Sequence, residues 1–596
     1  MSLPQMSDAK ENESMKTLPN SAKLLEEPIN FFRQGVDSYA VYLKPDGELF
    51  DPVFEEPTQY GSAYYALCNA ILANNLPMNS LYSDYFHRAR NGLIFALKHV
   101  SNFNDPPTAS GFRRDTGEIY RFNHRDFFWP PILKTYRLLK KSQAFAVKRF
   151  AKQIANVSIE QSFSSRPPSN VAAVWLLGEW LRFCEGFSPY PIEQFDKWLE
   201  TFFAERIAIE RGLYLEPGYP NSYDLFTRYH LAEILVEGYH GKLKDLLEKL
   251  LVTGLQRSLD LQLSDGSLAS GHRSTGQTWT LGVECAFFTL AAGYFRNRDL
   301  RLAEKCIDAA QRAYSAMRRW QRADGPYSPV ENCLPPTYRV GYEIYTADGH
   351  YGPLALSFLG TAIGFGFEFT DKNLDLRPPS FRVERYPICR GIIHHGRYSL
   401  HINANPASEY DGFGIVDVTF GAGRYFHFVS SVKNLETGRL FNLGLAHRDS
   451  PGLSRLTIIA QQPSELIGVI EKHNTPASLC LQARIRGESY SYVLLASISD
   501  EIYVSEITHG LRNYKTLLIP YLRDSGTGVI TEVKVIQGGV SLIHGSEEIR
   551  VSFHQPVERI LDLPYGFENR RGLCGLIRVD FQDRLDGIDY CIKVIR

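Results

Sequence analysis

The chain has 596 residues, which is too long for one ordinary hydrophobic core and predicts more than one domain. Hydrophobic residues make up 44% of it and charged residues 22%, as in water-soluble globular proteins. The net charge of -1, without a block of Lys or Arg, argues against a nucleic-acid partner or an anionic membrane surface. The chain also lacks a run of about eighteen apolar residues, which argues against a membrane-spanning segment.

The cysteines and the first residues bear on the cellular compartment. The nine cysteines are scattered and none forms a CxxC pair, which favours free thiols in a reducing environment and gives no sign of a zinc site. The first twenty residues are polar and lack the apolar segment of a signal peptide. We therefore predict a cytoplasmic protein, or a periplasmic or secreted one if a signal peptide has been removed.

The chain divides by its hydrophobic periodicity. We predict a disordered tail over residues 1–25, because that stretch is rich in Ser, Glu, Lys and Asn. Residues 26–370 carry apolar side chains at helical spacing, in segments separated by Pro-rich and Gly-rich turns. Without a repeat of about 34 residues, these segments favour a closed (α/α) toroid of helical hairpins over a solenoid. Such a ring would collect the polar loops between its helices around one central cleft.

The period changes to two in the C-terminal third. We predict a polar linker over residues 371–387 and an antiparallel β-sheet domain, a β-sandwich, over residues 388–596. The fold class is therefore multidomain α and β, with the toroid first.

The first chemical candidates precede a helix start at Trp129. Asn123, His124 and Arg125 combine an amide, an imidazole and a permanent cation beside aromatic residues. These groups can bind a carboxylate and supply a base, and Trp129 can stack on a sugar ring. The alternative is a helix-capping loop with a hydrogen-bonded histidine.

A second candidate segment begins a helix at residues 221–224. Tyr223 would lie in its first turn, where the helix dipole favours the phenolate form. Tyr219 and Tyr229 are its rivals for a hydroxyl role, and Tyr229 can also stack on a sugar. Packing of these aromatic rings is the alternative explanation.

A third candidate segment covers residues 270–279. It combines His272, Arg273, Gln277 and Trp279 with flexible glycines, and we interpret it as a substrate-binding loop. A long connector whose arginine pairs with a surface acid is the alternative.

This layout resembles the polysaccharide lyases that have an (α/α) toroid followed by antiparallel β-sheets, such as heparinase II/III-like and alginate or chondroitin lyases. The resemblance implies an Asn or His that neutralises a uronate carboxylate, and a Tyr and a His that act as acid and base. Asn123, His124 and Tyr223 match these roles by residue type and order. The Gly-His-x-His-Ala-Asp-like stretch of the heparinase-type β domain is absent, and Gly396-Arg397-Tyr398 stands there instead.

We therefore predict a lyase that cleaves an acidic, uronate-containing oligosaccharide or polysaccharide by β-elimination, without a cofactor and without a metal. The catalytic residues would be Asn123, His124 and Tyr223. The sequence gives no oligomeric state.

The runner-up is a glycoside hydrolase of the six-hairpin toroid type, and the third interpretation is a carbohydrate-binding protein without chemistry. A hydrolase would draw its paired carboxylates from Asp224, Glu284, Glu343 and Asp348.

Overall fold

The protein is described by a computed structural model. It covers residues 21–595 apart from 76–79, 103, 143–145, 164–168, 324, 371–373, 375, 407–411, 422–430, 453–455, 459–463, 472–477 and 486–489. Most of the tail predicted over residues 1–25 lies outside these residues. The described part begins with a helix at Ser21, inside that segment.

Residues up to Gly364 are mainly helical. The α-helices are α1 Ser21–Ser38, α2 Gly61–Asn75, α3 Ser80–Ser101, α4 Trp129–Leu139, α5 Val147–Ala155, α6 Ile159–Ser162, α7 Asn170–Cys184, α8 Ile192–Arg206, α9 Asn221–Val236, α10 Lys244–Leu261, α11 Trp279–Phe295, α12 Leu300–Met317 and α13 Asp348–Gly364. Two short hairpins interrupt them, formed by strands β1 Thr108–Arg113 and β2 Glu118–Phe122, and by β3 Ile207–Ala208 and β4 Leu213–Tyr214.

Six of the helices form a closed inner ring. Helix α2 packs on α4, α4 on α7, α7 on α9, α9 on α11, α11 on α13, and α13 again on α2. Helices α1, α3, α8, α10 and α12 pack against the outside of this ring. Inner helices such as α11 are buried on nearly every side, whereas the outer α12 buries one stripe. The predicted toroid is therefore confirmed.

A glycine permits the ring to close between its first and last inner helices. A Cβ atom on Gly61 would lie 1.9 Å from the carbonyl oxygen of Gly349, at the start of α13. Because a side chain cannot approach backbone so closely, α2 and α13 can meet there only through glycine.

The C-terminal part consists of antiparallel strands. They are β5 Arg377–Glu384, β6 Arg390–Gly396, β7 Tyr398–Asn403, β8 Gly414–Phe420, β9 Val432–Asn434, β10 Leu440–Phe441, β11 Gly444–Arg448, β12 Leu456–Ile458, β13 Ser464–Glu471, β14 Ser478–Ile485, β15 Ser491–Ile498, β16 Ile502–His509, β17 Asn513–Asp524, β18 Glu532–Ile536, β19 Gly539–His544, β20 Glu547–Phe553, β21 Val557–Asn569, β22 Gly572–Leu585 and β23 Gly587–Val594.

These strands form three sheets around a second hydrophobic core. The orders are β5-β6-β7-β8, β10-β9-β21-β22-β17-β11-β12 and β13-β14-β15-β16-β23-β20-β19-β18. The predicted antiparallel β domain is thus confirmed. Its first strand begins at Arg377, so part of the segment expected to be a linker is a strand that pairs with β6.

The first β-sheet lies against one rim of the toroid. Both Oδ atoms of Asp417 on β8 accept hydrogen bonds from Ser270, from its backbone N–H and its hydroxyl, at 2.8 Å each. Arg390 on β6 donates to the carbonyl oxygen of Tyr219 at 2.8 Å. The β domain therefore fixes the loops that precede α9 and α11.

Candidate active site

The N-terminal ends of the inner helices meet at the rim that the β domain covers. Five aromatic residues at or just before these ends form a connected set of ring contacts. The ring centroids lie 4.7 Å apart for Tyr60 and Phe127, 6.4 Å for Tyr60 and Tyr351, 6.3 Å for Tyr351 and Trp279, and 5.7 Å for Trp279 and Tyr223. Because helix N-termini carry partial positive charge, their convergence favours an anionic ligand at this rim.

Tyr223 is placed in the first turn of α9, as predicted, and its side chain is half-buried. Its hydroxyl lies 3.2 Å from the hydroxyl of Ser274, which in turn lies 3.1 Å from the hydroxyl of Tyr345. Glu343 accepts a hydrogen bond from the backbone N–H of Ser274 at 2.6 Å. We refer to Tyr223, Ser274, Tyr345 and Glu343 as the hydroxyl cluster.

The environment of Tyr223 keeps its hydroxyl protonated. Burial, followed by the negative charge of Glu343, raises the pKa of Tyr223 above its ordinary value. The expectation that the helix N-terminus favours the phenolate is therefore wrong, because burial and the neighbouring carboxylate outweigh the helix dipole. A protonated tyrosine can donate a proton but is a poor base.

His124 lies on the same rim, linked to Tyr60 through Phe127. Its ring centroid is 5.4 Å from that of Phe127 and 4.6 Å from that of Phe122, which is 43% exposed. Burial lowers the pKa of His124 to about 4, so its imidazole is neutral near pH 7. In the described part of the chain its ring nitrogens have no hydrogen-bond partner, and the imidazole is therefore available as a base.

Asn123 is engaged in the loop at the base of the β1–β2 hairpin. Its Oδ1 accepts hydrogen bonds from the N–H and the hydroxyl of Thr108, at 3.2 and 3.1 Å. Its Nδ2 donates to the carbonyl oxygens of Asp105 and Pro106, at 3.3 and 3.0 Å. Both ends of the amide thus form hydrogen bonds within the protein. Its Nδ2 could bind a substrate carboxylate only after one of these hydrogen bonds is broken.

Arg273 is a cation in contact with the predicted acid, Tyr223. Its guanidinium carbon lies 4.3 Å from the centre of the Tyr223 ring, and the guanidinium also forms an ion pair with Glu216. The side chain is 36% exposed, so it can still reach a ligand. The neighbouring His272 is half-buried and packs against the turn at Gly218.

Two predicted binding residues are bound within the protein. Arg125 donates to the carbonyl oxygen of Asn102 at 2.9 Å. Gln277 is fully buried, donates to the carbonyl oxygen of Gly341 and accepts from the hydroxyl of Thr346. Gln277 therefore shapes the loops rather than contacting a ligand.

The predicted stacking residues Trp129 and Tyr229 do not fit that role. Both are 0% exposed inside the helical ring, where Trp129 donates to Glu179 and Tyr229 packs edge-on against Phe358. Trp279 is also buried and lies beneath Tyr223, which it supports. The aromatic periodicity of these positions reflects core packing.

The carboxylates considered for a hydrolase are all buried, although Glu343 borders the hydroxyl cluster. Asp224 forms buried ion pairs with Arg228 and Arg257, and Asp348 forms one with Arg322. Glu343 pairs with Arg570 at 3.1 Å. Glu284 is 0% exposed, and neither of its oxygens has a hydrogen-bond partner among the described residues. Burial raises the pKa of Glu284 well above the ordinary value.

Several residues of the rim are not identified by the sequence alone. Tyr345, His350 and Tyr351 lie in the segment that supplied Glu343 and Asp348 as hydrolase candidates, a segment that also fits a solvated connector. Tyr60 begins a helix whose small and aromatic residues fit ordinary helix packing. His350 is fully buried beside Tyr60, and burial lowers its pKa to about 3. Arg570 lies more than 200 residues after Glu343 in the sequence, and its neighbouring residues give no indication that it reaches the rim.

A cavity of about 310 Å³ adjoins the hydroxyl cluster. It lies between the β1–β2 hairpin, the loop around Glu343 and the β domain, and is lined by Phe112, Arg114, Ile344, Lys433 and Arg570, among others. Among the described residues no group of three His, Cys, Asp or Glu side chains is placed to hold a metal ion. No helix in the described ranges combines the length and apolar character that crossing a membrane requires.

Comparison with known proteins finds similarity in structure only. No family model matches the sequence, and no curated protein matches it either. The chain is similar to heparinase III, with 10% identity over 96% of this chain and 91% of that chain and a TM-score of 0.35. It is also similar to a Paenibacillus xanthan lyase, with 10% identity over 97% of this chain and 58% of that chain and a TM-score of 0.49.

A third solved structure is similar over a smaller share of the chain. It is a glycosyl hydrolase family 88 protein from Bacteroides vulgatus, with 14% identity over 58% of this chain and 99% of that chain and a TM-score of 0.40. Similarities this low in identity and TM-score do not identify a reaction.

Proposed function

We propose that the protein is a polysaccharide or oligosaccharide lyase that cleaves an acidic, uronate-containing glycan by β-elimination. The observation that carries this proposal is the chemistry available at the rim. A protonated tyrosine, a neutral histidine and a partly exposed arginine lie where helix N-termini converge. The four carboxylates considered for a hydrolase are paired or buried.

The proposed reaction distributes three tasks among these residues. Arg273, aided by the helix N-termini, binds the uronate carboxylate and stabilises the negative charge that develops when C5 loses its proton. His124 accepts that proton, since its neutral imidazole is available as a base. Tyr223 donates a proton to the glycosidic oxygen as the C4–O bond breaks and a C4=C5 double bond forms. Asn123 would assist Arg273 only after releasing one of its backbone hydrogen bonds.

The surroundings also suit a sugar. Phe122 presents an exposed ring beside His124, and Phe112 lines the neighbouring cavity. Flat aromatic faces of this kind bind the apolar faces of sugar rings.

A substrate panel with a matched control tests the proposal. Oligosaccharides containing uronate would be incubated with the protein beside the same oligosaccharides whose carboxylates have been reduced to alcohols. We expect ultraviolet-absorbing unsaturated products from the uronate substrates alone. Cleavage of the reduced oligosaccharides at a similar rate would contradict the proposed role of the carboxylate.

A further inference from the structure

Arg570 belongs to the β domain, but its side chain contacts two loops at the rim of the toroid. It follows β21, in the turn that leads to β22. One guanidinium nitrogen donates to the carbonyl oxygen of Thr275 at 2.5 Å, and another donates to Glu343 at 3.1 Å. A single side chain thus joins two loops of the helical ring, one before α11 and one before α13.

The first of these loops has an unfavourable backbone conformation. His272 and Ser274 have φ angles of +61° and +60°, in the left-handed region that residues with a Cβ atom rarely adopt. Such residues keep this conformation only when their surroundings hold them. Around Ser274 those surroundings are Glu343, which binds its N–H, and Arg570, which binds the next carbonyl group.

We propose that Arg570 is a positioning residue that holds Ser274, and through it the hydroxyl of Tyr223, in the geometry that proton transfer requires. This inference rests on the proposed function, in which Tyr223 is the acid. It assigns the β domain a direct part in assembling the site. Arginine suits the task because its planar guanidinium can donate to two acceptors on different segments at once, whereas lysine presents a single charged nitrogen.

Kinetics of three variants test the proposal. Arg570→Ala and Arg570→Lys are compared with Arg578→Ala, which removes a buried arginine that binds Asp580 within the β domain, away from these loops. We expect kcat to fall about 100-fold in both Arg570 variants, with KM changed less than about threefold, because misplacement of a catalytic group affects the chemical step. Arg578→Ala should keep the wild-type kcat.

Rescue by a small molecule separates positioning from general loss of structure. Arg570 lines the cavity of about 310 Å³, so free guanidinium can enter the space that Arg570→Ala leaves. A sub-denaturing concentration of guanidinium should raise the kcat of Arg570→Ala about tenfold, whereas sodium chloride at equal ionic strength should leave it unchanged. A kcat that is unchanged in Arg570→Ala, or lost equally in Arg578→Ala, would overturn the proposal.

A measurement without substrate keeps the two proposals distinct. Hydrogen exchange over residues 270–277 should become at least tenfold faster in Arg570→Ala and stay at the wild-type rate in Arg578→Ala. Faster exchange in a protein that does not cleave uronates would support the positioning of the loop by Arg570 and contradict the proposed lyase activity. If the protein cleaves uronates but exchange in Arg570→Ala is unchanged, only the proposed role of Arg570 is contradicted.

Discussion

At the residue scale, Tyr223 offers the most direct test of the chemistry. Its hydroxyl contacts Ser274 in the hydroxyl cluster, so Tyr223→Phe removes the proposed proton donor and keeps the ring that packs on Trp279. We expect kcat to fall by about 10²–10⁴, the usual effect of losing a general acid, with an unchanged unfolding midpoint. The measurement is the rate of unsaturated product formation together with a thermal unfolding curve.

Tyr219→Phe is the matched control for that variant. Tyr219 lies two residues before Asn221, the first residue of α9, and is half-buried. It should tolerate loss of its hydroxyl with less than about a twofold change in rate. An active Tyr223→Phe beside an inactive Tyr219→Phe would transfer the acid role to Tyr219. If both are active, Tyr345 becomes the candidate, because it shares Ser274.

His124 determines the expected pH dependence. Burial lowers its pKa to about 4, and a base must be unprotonated to act. The value of kcat/KM should therefore fall as the pH drops through about 4, instead of through the ordinary range of histidine near 6.5. His124→Gln should abolish this acidic limb along with most of the activity. A wild-type limb near pH 6.5 would show that another group is the base.

At the element scale, two glycines of α11 test how the inner ring is packed. A Cβ atom on Gly282 would lie 2.6 Å from the carbonyl oxygen of Ala355 on α13, whereas one on Gly293 would meet no atom within 4 Å. Gly282→Ala should therefore lower the free energy of unfolding by about 1–3 kcal/mol through overpacking. Gly293→Ala should raise it by about 0.5–1 kcal/mol, because alanine restricts the unfolded chain and favours the helix.

Chemical denaturation of both variants measures this difference. Equal effects of the two substitutions would mean that α11 and α13 are not packed as closely as the structure places them. Both substitutions replace glycine with alanine in the same helix, so the difference between them reflects packing rather than helix propensity.

Elements were easier to predict from the sequence than the site. The change from helical to alternating periodicity near residue 370 predicts a helical part followed by a β part, because the spacing of apolar residues shows which face of a helix or strand is buried. The same signal misled at Trp129 and Tyr229, since the sequence pattern around an aromatic residue of an inner helix is the same whether its ring faces the core or the cleft. Arg570 could not be predicted, because its contacts with Thr275 and Glu343 depend on how the β domain lies on the ring.

At the scale of the whole molecule, the two parts should unfold together. One hydrophobic core contains residues of the helical ring together with Val432, Leu518 and Phe567 of the β domain. All six tryptophans lie in the helical part, so their fluorescence reports on the ring alone. We expect the fluorescence transition to coincide with the loss of hydrogen-exchange protection in β22. Two separated transitions would show that the domains are independent.

Asp417, which joins the β domain to Ser270 of the helical part, should make the stability of the protein depend on pH. Burial alone would raise its pKa, but the hydrogen bond from His401 and the charge of Arg571 hold the pKa well below the usual range. A depressed pKa contributes stability that is present above the ordinary carboxyl pKa of about 4 and is lost as the pH falls below it. Asp417→Asn should therefore lower the unfolding midpoint at pH 7, by an amount that shrinks as the pH approaches 3. A difference that stays constant with pH would contradict this account of the interface.

In the proposed reaction the glycosidic bond breaks without water. The most direct measurement is the mass of the products formed from a uronate oligosaccharide in water enriched with oxygen-18. Elimination predicts two products whose masses sum to that of the substrate, one of them unsaturated and neither carrying the heavy isotope. Products heavier by one water molecule, with oxygen-18 at the new reducing end, would establish hydrolysis and contradict the lyase.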